Sequence, residues 1–426
     1  MTVAERLCRM LTLVLGAEPA LRLRAWDGTE AGPAGAPVVE VRSRDAIRRL
    51  VRHPDELGLA RAYVNGELDV EGDLHAALAA LPHEGVAERR LTLREHAELT
   101  GLAVRLGALG REPDPPPEEV VLEGDPHSRS RDRAAISHHY DVGNDFYRLV
   151  LGESMVYSCA YWRSTEPGYT LEHAQRDKLD LVCRKLGLHE RGGETVRLLD
   201  LGCGWGSLVV HAASTYGVRA LGVTLSAEQA ELARKRVAQA GLADLVEVRL
   251  QDYRDVADGP FTVIASIGMA EHVGREPYRD YAGALYQLLA PGGRLLNHQI
   301  ARRPGPQRED RSFISAYVFP DGELLPLATT VEALEDAGFE VRDVESLREH
   351  YRLTLRHWVE NLEGDWDRAV ELSSTGRARV WRLYMAGSAL AFGAGRIGVN
   401  QVLAVRTGPN GASGLPMTRR YLADLL

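Results

Sequence analysis

The stretch LLDLGCGWGSLVVHAA, residues 198–213, joins two apolar runs through Gly202-Cys203-Gly204-Trp205-Gly206. A strand, a tight turn and a helix in that order turn free helix N–H groups toward a ligand, and glycines let the backbone approach it without a Cβ in the way. The spacing is G-x-G-x-G, which suits NAD, FAD and S-adenosylmethionine (SAM) alike, or a tight turn with no ligand. Two neighbours narrow the choice. A dinucleotide site expects an acid at the end of the second strand to hold the ribose, and GVTLS places Thr224 there. Asp200 stands just before the turn, where a buried acid can order the loop and accept hydrogen bonds near a cation. SAM carries a sulfonium and an ammonium, so the pattern favours SAM. An NAD-dependent oxidoreductase is the alternative.

The elements around this turn alternate. VRLLDL, RALGVTL, LVEVRLQD, FTVIASIG and RLLNHQI read as strands. WGSLVVHAASTYG, AEQAELARKRVAQAG (with Gly241 as its stop) and YRDYAGALYQLLAPGG read as helices between them. This order predicts an α/β fold with a mostly parallel, Rossmann-like sheet and right-handed crossovers. From about 302 to 338 the pattern loosens, which suggests a helical lid inserted over the strand ends. FEVRDVESL and VNQVLAVR then read as two last strands with a long helical stretch between them.

Residues 110–133 are rich in Pro and charge and read as a linker. They separate a smaller α+β domain, about 1–109, from a larger one, 134–426. The small domain carries the strand pattern PVVEVRS and the segment LARAYVNGELDVEGDL, with no obvious catalytic constellation. Its start reads as an amphipathic helix with Leu7, Met10, Leu11 and Val14 on one face, packed on its own domain or set against a membrane surface. A net charge of −9 over 426 residues argues against a nucleic-acid partner. Cys8, Cys159, Cys183 and Cys203 show no C-x-x-C spacing, which fits a reducing cytoplasm rather than a zinc site or a disulfide framework. The pair His138-His139 invites a metal, but neighbouring side chains on a helix diverge and no third ligand is evident, so none is expected.

SHHYDVGNDFYRLVLGESMVYSCAYW, LLDLGCGWGSL, GVTLSAEQ, QDYRD, SIGMAEHVG and LLNHQI resemble, in order and spacing, the cyclopropane fatty acid synthase family. The likeness runs from about His138 to Arg406, and LARAYVNGELDVEGDL extends it into the first domain, as in the long, phospholipid-acting members. The resemblance implies a SAM-dependent methyltransferase fold and methyl transfer to the double bond of an unsaturated acyl chain. It implies SAM contacts at Tyr157 and Ser158, at Gly202 and Gly204, at Thr224, Leu225 and Gln229, at Asp252 and Tyr253, and at Ile267. Family members also hold a bicarbonate ion as general base. Its ligands match Cys159, Glu271, His298, Tyr351 and the backbone of Ile300.

These residue types suit the reaction. An alkene is a poor nucleophile, and its attack on a sulfonium methyl leaves a mid-chain carbocation that must then lose a proton. The site needs an apolar slot, a base held by hydrogen bonds, and no loose water. Glu271 and His298 fall at the ends of adjacent strands, where open α/β sheets place ligands. Taken singly each has a plainer role: Glu271 as a helix-cap acid, His298 as a hydrogen-bonded core histidine, Cys159 as a small buried apolar group, Tyr351 as lid packing. The apolar, aromatic segments FISAYVFPDGELLP, LTLRHWVENL and VWRLYMAGSALAF read either as a helical core or as the wall of an acyl channel.

Proton loss with ring closure gives a cyclopropane. A hydride shift first gives a methylene branch, which a separate reductase can turn into a methyl branch. The partners expected are unsaturated phospholipid acyl chains, a membrane surface on the cytoplasmic side, such a reductase, and a second copy of the chain in a homo-oligomer. A non-catalytic lipid-binding protein on the same fold is a further alternative, against which the intact Glu271 and His298 speak.

Overall fold

The computed structural model describes residues 1–81, 91–108, 110–120, 124–125, 127–140, 142–190, 195–305 and 311–419. The chain forms two compact units. One comprises residues 1–121, 308–320 and 373–390, and the other comprises 122–307, 321–372 and 391–426.

The first unit opens with α1 (Val3–Leu15), started by a Thr2–Glu5 capping box and stopped by left-handed Gly16. β1 (Arg22–Ala25), β2 (Glu30–Ala31) and β3 (Val38–Val41) follow, then α2 (Arg44–Arg52), α3 (Glu56–Val64), β4 (Leu68–Glu71), α4 (Leu74–Ala79) and α5 (Leu93–Arg105). The sheet order is β2-β1-β3-β4, with β1 and β3 parallel. Leu7 is buried and Met10 and Leu11 pack against the core, as the α1 pattern predicts, but Leu13, not Val14, is the buried residue near the helix end. In LARAYVNGELDVEGDL the first half completes α3, and Leu68–Glu71 pairs with β3.

This unit takes in more of the chain than 1–109. Buried Arg49 binds Glu67 at 2.9 Å and reaches the carbonyls of Pro113 and Asp114, so the proline-rich stretch is held by its own free carbonyls. Arg61 pairs with Glu119 at 2.8 Å. Residues from two distant segments join as well. Tyr317 of α12 (Phe313–Tyr317) donates to Glu119 at 3.1 Å. Arg379 of α16 (Thr375–Gly393) donates to the carbonyls of Tyr63 and Leu68, each at 2.7 Å.

The second unit begins with α6 (Arg129–Tyr140), α7 (Asn144–Leu151) and α8 (Leu171–Lys185), and then alternates. β5 (Arg197–Leu201), α9 (Ser207–Tyr216), β6 (Arg219–Thr224), α10 (Ala227–Gln239), β7 (Val246–Leu250), β8 (Phe261–Ile267), α11 (Tyr278–Leu288) and β9 (Leu289–Arg302) follow in order. After β10 (Leu325–Pro326) come α13 (Leu327–Asp336), β11 (Glu340–Ser346), α14 (Arg348–Gly364), α15 (Trp366–Leu372) and β12 (Ile397–Val405). The order across the sheet is β11-β12-β9-β8-β5-β6-β7, with β12 antiparallel to both neighbours and the strands from β5 to β9 mutually parallel.

Successive strand residues go to opposite cores, as the pleat requires. Leu198, Val263, Leu296 and Leu403 face α8, α9 and α10, whereas Leu199, Ile264, Leu295 and Val402 face α11 and α13. The helix expected to be closed by the Pro-Gly-Gly of 291–293 stops earlier, at Leu288. Leu289 is already extended and pairs with Phe261, and the residues between Leu289 and Arg294 are absorbed by a register shift against β8. Of the stretch from about 302 to 338, residues 306–310 lie outside the described residues, α12 falls in the first unit, and α13 packs beside α11 on the sheet.

Candidate active site

The glycine turn forms where β5 passes into α9. Gly202, Gly204 and Gly206 all have positive φ, of 72°, 53° and 78°, so the turn demands glycine at each. A Cβ on Gly202 would lie 3.0 Å from Met269, while one on Gly204 would meet nothing within 4 Å. The loop can sit this low because of Gly222 on β6. A Cβ there would come within 2.9 Å of the Cys203 side chain.

The turn is one wall of a cavity of about 420 Å³. Tyr157, Ser158, Asp200, Gly202 and Gly204 line it, as do Thr224, Leu225, Gln229, Tyr253 and Ile267. Ten of the eleven residues expected to touch SAM are thus brought together. Asp252 is the exception. Its carboxylate accepts from the Arg254 backbone at 3.0 Å and from the Arg254 guanidinium at 2.6 Å, so it caps the short turn that presents Tyr253. At the end of β6, the Thr224 hydroxyl donates to Gln229 at 2.7 Å, leaving the Gln229 amide group to face the cavity.

Asp200 is buried, and burial pushes its carboxyl up to about 7 against the opposing pull of the Lys178 ammonium. Lys178, also buried, is pushed down to about 8 by burial and donates to the Ser158 hydroxyl at 2.9 Å. An aromatic shell closes the far side. Tyr140 meets Trp205 edge-on at 5.8 Å, and Tyr157 stacks on His139 at 5.5 Å. The side chain of His138 lies outside the described residues.

The five residues expected to hold the base are not on the cavity wall. They lie behind it, and the connections between the two sets are short. Ser158 lines the cavity and Cys159 follows it. Ile267 lines the cavity and stands opposite His298 in the β8–β9 ladder, where Gly268 donates to the His298 carbonyl at 2.9 Å. The Glu271 Oε1 accepts from the Ile300 N–H at 2.7 Å. The Ile300 backbone, expected to meet the anion, therefore has its N–H engaged by the carboxylate. The Cys159 thiol reaches the Leu347 carbonyl at 3.6 Å, which also accepts from Tyr351 N, and Leu347 N donates to Val399, the partner of Ile300 across β9 and β12. The Tyr351 ring packs on Trp358, which packs on Tyr157.

Burial shifts Glu271, Cys159 and His298 toward their neutral forms. Glu271 is raised to about 7, the Cys159 thiol is pushed well up, and the His298 imidazolium well down, the last helped by the cations of Lys178 and Lys185. Two buried atoms, Glu271 Oε2 and His298 Nε2, have no partner in the fold. The other imidazole nitrogen, Nδ1, sits 3.2 Å from the Gln401 amide. Sequence reading missed Lys178, Tyr140, Trp205 and Gly222, and also Gln401 and Lys185. One signal was there: the chain has three lysines, and two fall on one helix among apolar residues.

A family model described as mycolic acid cyclopropane synthetase matches residues 127–402. The chain belongs to this family. A relative from Pseudomonas putida named as a probable fatty acid methyltransferase is 41% identical over 94% of this chain and 95% of its own. The cyclopropane-fatty-acyl-phospholipid synthase of Escherichia coli is 37% identical over 66% of this chain and 71% of its own. Among solved structures, a mycolic acid cyclopropane synthase complexed with SAH and CTAB superposes with a TM-score of 0.59 and 34% identity, covering 64% of this chain and 97% of that one. The fold is that of a SAM-dependent methyltransferase, and the enzyme is one of that class. The NAD alternative is not favoured.

Proposed function

We infer that this chain transfers a methyl group from SAM to a double bond of an unsaturated acyl chain in a phospholipid, giving a cyclopropane or a methylene branch. The observation that carries the reading is the adjacency of two sites. The SAM-type cavity is lined by Ile267, Gly268 and Met269, Ile267 pairs with His298 in the β8–β9 ladder, and His298 and Glu271 each carry a buried polar atom with no partner. Buried polar groups in folded proteins are almost always satisfied, so two orphans on adjacent segments, at β9 and just after β8, call for a polar guest.

A bicarbonate ion fits this donor set. It would be held by the His298 imidazole, the Glu271 carboxyl, the Cys159 thiol and the Tyr351 hydroxyl, and it would supply the base for the departing proton. The charge states support this. A thiol held neutral and a carboxyl half-protonated near pH 7 can accommodate one negative charge that a thiolate and a full carboxylate would repel, and the neutral imidazole can still donate a hydrogen bond to it. Asp200 faces the cavity and gives a cationic ligand its counter-charge. The aromatic wall of Tyr140, Tyr157 and Trp205 keeps water from the reacting carbon.

Among the described residues no helix is long and apolar enough to cross a membrane, so access to a phospholipid chain would be gained from the bilayer surface. The test is expression in a host with unsaturated phospholipids, followed by mass spectrometry of its lipids and NMR to separate ring from methylene isomers. Wild-type chain should add one methylene unit per acyl double bond consumed, and depletion of bicarbonate should slow it while SAM binding persists. Binding of unsaturated lipid without mass gain would support the non-catalytic reading instead.

A further inference from the structure

Gln401 stands directly opposite His298 in the antiparallel β9–β12 ladder, so both side chains leave the same face of the sheet. That face meets α8, whose last turn brings up Lys185, a fully buried lysine. The Lys185 Nζ donates to Glu345 Oε2 at 2.5 Å and to Gln401 Oε1 at 2.8 Å. Gln401 Nε2 then lies 3.2 Å from His298 Nδ1.

The direction of this chain follows from its ends. An ammonium has donors and no acceptor, so the end of the Gln401 amide that faces it is the oxygen. The other end is an NH₂ and donates. His298 Nδ1 must receive that bond with its lone pair, and a neutral imidazole with a lone pair on Nδ1 carries its proton on Nε2. Nε2 is the buried atom with no partner in the fold. Burial and the nearby cations of Lys178 and Lys185 oppose a second proton.

We propose that Lys185 and Gln401 are positioning residues that lock His298 as the Nε2–H tautomer, so that the imidazole faces the reaction site as a fixed hydrogen-bond donor and never as the base. The inference rests on the reading of the reaction given above. It assigns the proton-accepting role to something other than His298, and it extends the working site by a cross-strand pair and a buried ion pair.

The tautomer can be read directly. Full-length protein labelled with ¹⁵N at the histidine rings is examined by NMR, with His298→Asn identifying the resonances. The expected spectrum shows His298 Nε2 protonated and Nδ1 as the unprotonated, pyridine-type nitrogen. Protonation at Nδ1 in the wild type overturns the proposal. Gln401→Glu places a carboxylate opposite Nδ1 and should draw the proton there. Turnover should then fall on the order of 10²-fold, the cost of removing one preorganised donor, with SAM affinity unchanged. Retained Nε2 protonation with retained turnover in Gln401→Glu overturns the proposal. Should that variant fail to fold, the lysine pair decides. Lys185→Arg keeps a donor to the amide and should keep the wild-type tautomer, whereas Lys185→Met frees the amide to turn and should give a mixture. Identical spectra for the two overturn it. The spectra need no turnover, so they stand apart from the reading of the reaction, which fails if His298→Asn methylates acyl chains as fast as the wild type.

Discussion

Glu271→Gln should make the protein more stable and less active at once. The Glu271 carboxyl is raised from an ordinary 4.5 to about 7 by burial, with the Ile300 N–H on Oε1 only partly offsetting that cost. The native state therefore binds a proton between about pH 4.5 and 7 that the unfolded chain has released. Stability falls as pH rises through this window and is level above it. At about 1.4 kcal/mol per pH unit between the two values, the full penalty is on the order of 3 kcal/mol. Glutamine keeps the acceptor for Ile300 and replaces Oε2 with an uncharged NH₂, so it escapes the penalty. Urea unfolding in bicarbonate-depleted buffer without SAM should show the variant and wild type alike near pH 4.5. The variant should then gain stability up to a plateau above pH 7, with a ceiling of about 3 kcal/mol. The same variant should lose methyl transfer by roughly tenfold to a hundredfold, since removing one partner of a buried polar network costs about 1–3 kcal/mol. A variant no more stable than wild type at pH 8 would refute the reasoning, because it would mean the carboxylate is solvated or paired.

Gly204→Val should abolish SAM binding by calorimetry while circular dichroism shows the fold retained. Its Cβ would enter the cavity without meeting protein, and the positive φ of 53° adds strain of about 1–2 kcal/mol. Asp200, with its carboxyl near 7, should release a proton when a cationic ligand binds below that pH. SAM affinity should therefore weaken as pH falls below 7, the binding heat should depend on the buffer's ionisation enthalpy, and Asp200→Asn should remove both effects. Gly222→Ala should lower the melting temperature and weaken SAM binding together, because the added methyl would press on Cys203 at 2.9 Å, an overpacking cost of about 1–3 kcal/mol.

The parallel half of the sheet was legible because β5, β6 and β8 are short apolar runs closed by turn residues and followed by a helical period, while β7 stands out as a strand between the α10 period and β8. The start of β9 was not. Pro-Gly-Gly after a helix reads as a stop, yet Leu289 pairs with Phe261 and the turn residues are carried inside a register shift. Ten of the eleven residues expected at SAM line the cavity and were legible through motifs, since each motif is a local turn. Gln401 and Lys185 were not, because their roles exist only once β12 has paired with β9 and α8 has packed over both. The placing of residues 373–390 was also hidden. Nothing in the local pattern of α16 says that Arg379 will insert at Tyr63 and Leu68, more than three hundred residues earlier.

The groups behind the cavity have a property in common that bears on the chemistry. Cys159, Glu271 and His298 are each driven toward the neutral form by burial, while the nearby ion pair of Lys185 with Glu345 meets His298 through the Gln401 amide. A carbocation in mid-chain would be captured by any free nucleophile within reach, water and carboxylate included. Holding Glu271 half-protonated and tying its Oε1 to the Ile300 N–H lowers its nucleophilicity without removing its hydrogen-bonding capacity. Holding the Cys159 thiol well above its usual range suppresses the thiolate, the stronger threat. The cost is the desolvation stored in these side chains, and it falls on stability. A site built this way gives up folding free energy to keep its own nucleophiles weak, as the proposed reaction with a base bound from solution requires.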